Sequence, residues 1–152
     1  MLAKTHLAVS ILAILLFIPI VTHPISFVII ALVATLIPDI DSGFSTFGKR
    51  PTFRPLQVFV KHRGLFHSFT FLLLITIFFV LFLPVVALPL FLAYSLHLLV
   101  DSFTIEGIRP FYPSKKGVSG KIRTGGKFET GFFAAFVIVD ILMFFILMSN
   151  LF

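Results

Sequence analysis

Five long runs of apolar side chains are separated by polar ones along the chain, at about Leu7–Val21, Ile25–Ile37, Leu65–Leu83, Val85–Val100 and Gly131–Ser149. Runs of this kind predict membrane-spanning helices. The first two are shorter than the roughly 20 residues of a straight span, so they start in the headgroup zone or sit in a locally thinned bilayer. The links at Pro19–Pro24 and around Pro84 are tight and predict helical hairpins. Two longer polar segments remain, Asp39–Gly64 and Ser102–Thr130. Within the second, Ser114–Lys127 alternates glycine with basic residues. Its turn sequences Gly117-Val118-Ser119-Gly120 and Thr124-Gly125-Gly126 predict a small β-hairpin under the bundle. The expected fold is all-α: a polytopic transmembrane helix bundle of about five spans, one domain over residues 1–152, with two long loops.

Composition strengthens this picture. The chain is 59% hydrophobic and 12% charged, about half the charge of a soluble domain. A soluble core of this length cannot hide so many apolar side chains, so lipid is the expected solvent. The 22 phenylalanines are read as lipid-facing and core filling. With no cysteine, disulfides and thiolate metal sites are excluded. The first apolar run reads as a retained span, since Pro19–Pro24 lacks a small-x-small cleavage pattern.

Charge then orients the bundle. Threading five spans puts the N-terminus and both long loops on one side, and the short turns and the C-terminus on the other. All twelve Lys and Arg fall on the first side: Lys4, Lys49, Arg50, Arg54, Lys61, Arg63, Arg109, Lys115, Lys116, Lys121, Arg123 and Lys127. The positive-inside rule makes that side cytoplasmic. The net charge of +6 is thereby assigned to topology and anionic lipid, and no nucleic-acid partner is expected.

A second asymmetry has no topogenic reason. His6 opens the first span, Asp39 and Asp41 close the second, and His62 and His67 lead into the third. His97 and Asp101 close the fourth, Glu106 follows, and Glu129 opens the fifth. All share one depth, where ionisable groups beside lipid are expensive and so are functional candidates. Imidazoles with carboxylates suit zinc, manganese or iron. Plainer readings exist for each group. His97 and Asp101, at i and i+4 on one helix face, can be a pair that serves packing alone. Asp39 and Asp41 can be acids wetting a helix exit; they point the same way if the chain is extended and diverge if it is helical. Gly64 permits a break that would set His67 in the first turn of the third span, where a helix N-terminus favours an anion. His23, in the outer turn, reads as a solvated loop residue. Asp140 lies mid-span and is expected to be protonated or hydrogen-bonded to a hydroxyl such as Ser10 or Thr76.

The blocks Thr5-His6, Ile37-Pro38-Asp39-Ile40-Asp41-Ser42, His62-Arg63-Gly64-Leu65-Phe66-His67-Ser68 and His97-Leu98-Leu99-Val100-Asp101, followed by Gly107-Ile108 and Pro113, resemble the YdjM-type family of LexA-regulated, inner-membrane metal-dependent hydrolases. The resemblance runs from His6 to Glu129 and implies a polytopic membrane protein with a metal-dependent hydrolytic site. On that basis His6, Asp39, His67, His97 and Asp101 are expected to hold one or two divalent ions, zinc or manganese. Asp41, His62 or Glu129 are expected as acid or base, and Arg63, Arg109 and Arg123 as substrate-binding groups. A site at headgroup depth suggests an amphiphilic, phosphate-bearing substrate, such as a lipid phosphoester. Two alternatives from other classes stand beside it: a metal or proton transporter, and a non-catalytic scaffold around a structural metal. A metal-free lipid phosphatase also uses His-x-x-x-Asp, but Phe91–Leu96 lacks the arginine that class needs.

Overall fold

A computed structural model describes residues 1–41 and 64–149, with the backbone alone at Asp41. Among these residues the fold is a bundle of five α-helices, as the apolar runs predict: α1 (Ala3–Phe17), α2 (Pro24–Leu36), α3 (Phe69–Phe82), α4 (Pro84–Ser102) and α5 (Lys127–Ser149). His62 and Arg63 lie outside the described residues.

Prolines set two of the boundaries. Pro24 and Pro84 sit in the first positions of α2 and α4, where a missing N–H leaves no bond unmade. Ser68 starts α3: its Oγ accepts from the Phe71 N–H at 3.2 Å and donates to the Leu65 carbonyl at 2.6 Å. Among the described residues three helices are long and apolar enough to cross a bilayer: Ala3–Ile20 (α1 with its short 3₁₀ tail), α4 and α5. Helices α2 and α3 have 13 and 14 residues. At 1.5 Å per residue each covers about 20 Å, short of a hydrocarbon core of about 30 Å.

Helix α2 packs against α4 and α1, α3 packs against α4, and α5 leans on α1. Close approach is possible because the contacts use small residues. Ala31, Ala34 and Ala93 are almost fully buried beside Leu72, Tyr94 and Leu98. Helix α5 is built inside out. Its buried residues are Glu129 and Asp140, while Ile138, Leu142, Phe145 and their neighbours point away from the bundle. That arrangement is stable only where the surroundings are apolar.

The second long loop differs from the expected hairpin. Among the described residues it forms two isolated bridges, Ile108 with Val118 and Thr104 with Ile122. Ile108 and Val118 exchange both backbone hydrogen bonds at 2.9 Å. The Ser114–Lys127 segment therefore folds back on the chain leaving α4 and not on itself. Glycine at two positions allows this: Gly107 has φ of +61°, and a Cβ at Gly120 would lie 2.2 Å from the Phe103 carbonyl oxygen.

Candidate functional site

The helix ends at one end of the bundle bring five residues together. His6 comes from the first turns of α1, and Asp39 from the 3₁₀ turn Pro38–Asp41 that follows α2. His67 precedes the cap of α3, while His97 and Asp101 come from the last turns of α4. His6, His67 and His97 are each 1% exposed, Asp101 2% and Asp39 9%. Side chains this polar are not left in such burial without partners or a ligand.

Asp101 is the hub. Its Oδ1 lies 3.2 Å from His6 Nε2 and also accepts from the Met1 ammonium. Its Oδ2 lies 3.7 Å from both His67 Nε2 and His97 Nε2. Asp39 Oδ1 approaches His97 Nε2 from the other side, at 3.9 Å. The His6 and His97 rings stack with centroids 3.7 Å apart, and His67 meets His97 edge-on at 5.7 Å.

The tautomer of His97 follows from its partner. His97 Nδ1 is 2.7 Å from the Thr35 carbonyl oxygen. A carbonyl can only accept, so Nδ1 carries a proton, and in the neutral ring Nε2 keeps its lone pair. That lone pair faces Asp39 and Asp101 and has no hydrogen-bond partner; His6 Nδ1 has none either, and His6 Nε2 has only the 3.2 Å contact to Asp101 Oδ1. The remaining distances of 3.7–3.9 Å are too long for direct hydrogen bonds. Two triads, His6-His97-Asp101 and Asp39-His67-His97, place one donor atom each within 4.8 Å of one another. The donor set fits a divalent cation: hard carboxylate oxygens, borderline imidazole nitrogens and no thiolate. His97 belongs to both triads but has one free lone pair, so the triads share a single ion or compete for it.

Several groups brace this end. Thr35 Oγ1 is hydrogen-bonded to Ser10 Oγ on α1 at 2.8 Å, tying α2 to α1 beneath the cluster. The Tyr94 hydroxyl donates to the Phe66 carbonyl at 2.6 Å, fixing the segment that carries His67. Glu129 is 1% exposed. Its Oε1 accepts from the Leu2 N–H at 2.6 Å and the Thr5 hydroxyl at 2.8 Å, and its Oε2 accepts from the Gly125 N–H at 2.5 Å. Both carboxylate oxygens are therefore engaged in clamping the second loop to the start of α1.

Not every expected residue joins the cluster. His67 lies one residue before the α3 cap, not in its first turn, because Ser68 and the Pro110 carbonyl take the first N–H groups of that helix. Those partners also leave no N–H there for an anion among the groups they satisfy. Asp41 belongs to the 3₁₀ turn, and its side chain, like His62 and Arg63, lies outside what is described. Arg109 and Arg123 are exposed and line separate depressions, Arg109 beside Glu106 and Arg123 within the Lys121–Phe128 turn. The expected bond from Asp140 to Thr76 is not made. Asp140 Oδ1 and Thr76 Oγ1 are both buried without a hydrogen-bond partner, and Ser10 is paired with Thr35. The bracing role of Thr35 is absent from the sequence reading. A hydroxyl near the polar end of an apolar run is the one mark it leaves.

No curated protein and no solved structure matches the chain. The family model described as YdjM inner membrane protein matches residues 1–151. With apolar helices throughout and a match across nearly its whole length, the chain belongs to the YdjM inner membrane protein family.

Proposed function

We propose that this protein is a metal-dependent hydrolase working at the cytoplasmic face of the membrane, on an amphiphilic phosphoester. One observation carries the reading: His97 Nε2 is buried, deprotonated and unpartnered between two carboxylates and two further imidazoles. A histidine serving packing alone would have a satisfied second nitrogen. His6, Asp39, His67, His97 and Asp101 are the proposed ligands of one zinc or manganese ion. A divalent ion held there supplies Lewis-acid chemistry, polarising a phosphoryl oxygen and lowering the pKa of water toward neutrality.

The chain's own residues have distinct proposed parts. The Thr35 carbonyl orients His97, and Glu129 sets the position of α1 and hence of His6. Asp41 and His62 are the candidates for proton transfer. Arg63 and Arg123 neutralise the substrate's phosphate as charge develops. The cytoplasmic assignment rests on the twelve basic residues sharing one side of the threaded chain. A reporter fused after Phe152 then reads as non-cytoplasmic; a cytoplasmic reading overturns that topology.

The test is a screen of lipid phosphoesters with wild type and His97→Ala, with metal measured on both. Turnover by metal-loaded wild type, abolished together with bound metal in His97→Ala, is the expected result. A folded wild type that binds no divalent metal and is indifferent to chelator contradicts the reading. Asp140 favours a second reading, ion or proton transport, because its Oδ1 is buried without a partner inside a membrane-spanning helix. Ion flux into proteoliposomes that disappears in Asp140→Asn supports transport; flux absent from wild type removes it.

A further inference from the structure

An apolar groove of about 530 Å³ lies between α1, α4 and α5, a size within the roughly 300–1,000 Å³ of ligand pockets. Its walls follow helix periodicity. Val9, Leu12, Ala13 and Leu16 are spaced i, i+3, i+4, i+7 on α1. On α4, Leu96 to Phe103 repeats that spacing, and Phe132 and Phe136 of α5 form the third wall. The groove has a polar mouth. Ile122 and Phe128 line it, and they also line the depression of the Lys121–Phe128 turn, which presents Lys121, Arg123 and Lys127. Among the described residues two acids meet that turn: Glu106, whose Oε2 accepts from the Thr124 hydroxyl at 2.9 Å, and the buried Glu129, whose Oε2 accepts from the Gly125 N–H. Three cations against two carboxylates, one of them buried, leave the mouth positive.

The groove also reaches the His/Asp cluster. Met1 and Val100 line its head end, Met1 donates its ammonium to Asp101, and Val100 is the neighbour of Asp101 in α4.

From this juxtaposition we propose that the groove and the Lys121–Phe128 turn form a binding site for a single anionic phospholipid, chain in the groove and phosphate on Lys121 and Arg123. An apolar trough alone would take any acyl chain. The cations at its mouth, on the side where the cluster lies, select an anionic head. As a binding site this stands on the groove and the turn. As the seat of the substrate it rests on the hydrolase reading above, and makes that substrate a membrane lipid with a monoester or diester phosphate.

The test uses the full-length protein in chelator, so that no turnover intervenes. Native mass spectrometry counts lipids retained from micelles containing dioleoyl phosphatidate or dioleoyl phosphatidylcholine. Wild type is expected to retain one phosphatidate with at least tenfold preference over phosphatidylcholine, undisturbed by millimolar inorganic phosphate. The double variant Lys121→Gln/Arg123→Gln, on exposed positions, loses that preference and keeps weak retention of both lipids. Ala13→Phe, which fills the groove, loses both. Equal retention of the two lipids by wild type overturns the proposal. So does a preference that survives the double variant, displacement of the lipid by inorganic phosphate, or a second protein copy seated in the groove. Metal content measured on parallel samples without chelator, for wild type and His97→Ala, separates the two readings. Phosphatidate retained by a variant that has lost its metal supports the lipid site independently of the metal centre. Metal retained by a wild type that shows no lipid preference sinks the lipid site alone.

Discussion

Helices α4 and α5 are both long enough to cross a bilayer, and both bury an acid in an apolar helix. The two acids live differently. Asp101 stands at the end of α4, within 3.2–3.7 Å of three imidazole nitrogens and against the Met1 ammonium. Asp140 stands inside α5, where Oδ1 has no hydrogen-bond partner and the neighbouring turns face outward. The cost of burying Asp101 is offset by the ammonium it accepts from; Asp140 Oδ1 has no such partner. The difference teaches that burial alone does not mark a candidate site acid in this chain. Convergence of several helix ends on one point does.

Substitutions sharpen the contrast. The largest effect is expected from Asp101→Ala, which removes the group facing all three histidines. Metal affinity should fall by more than about 100-fold, beyond the roughly 10–100-fold seen when a residue behind the ligands is lost. Metal analysis of the detergent-purified variant checks this, and retention of stoichiometric metal would break the comparison. Glu129→Ala comes next. It strands the N–H groups of Leu2 and Gly125, so a loss of about 1–3 kcal/mol in stability is expected with a weaker metal site; thermal unfolding with and without metal separates the two effects. Thr35→Val keeps the carbonyl that orients His97 and removes the hydroxyl bonded to Ser10. It should cost about 1 kcal/mol of stability and leave metal affinity within about twofold. The smallest effect belongs to Asp140→Asn, for which metal content and affinity stay unchanged. A collapse of metal binding there would mean that α5 takes part in the centre.

Much of this was legible in the sequence because lipid imposes a simple pattern. Five apolar runs gave five helices, and helix-end positions for His6, Asp39, His97 and Asp101 followed from where those runs stop. Two features were not legible, for a shared physical reason. The second loop pairs Ile108 with Val118 through backbone groups, and backbone pairing between residues ten positions apart leaves no side-chain pattern to read. His67 was expected inside α3, but a serine cap and a carbonyl from the distant Pro110 fixed the boundary one residue later. The second of these partners is a tertiary contact, which local sequence does not encode. Glu129 was expected as an acid or base; the sequence did not show that its two oxygens accept three hydrogen bonds, two of them from backbone N–H groups, and so also clamp the loop to α1.

The central claim is that three buried imidazoles and two carboxylates hold one divalent ion. X-ray absorption at the metal's K-edge, on the purified full-length protein, tests this most directly. The account predicts a shell of nitrogen and oxygen donors at about 2.0–2.2 Å, with outer-shell scattering from imidazole rings that is lost in His97→Ala. A bound metal showing oxygen donors alone, with no imidazole scattering, would contradict it.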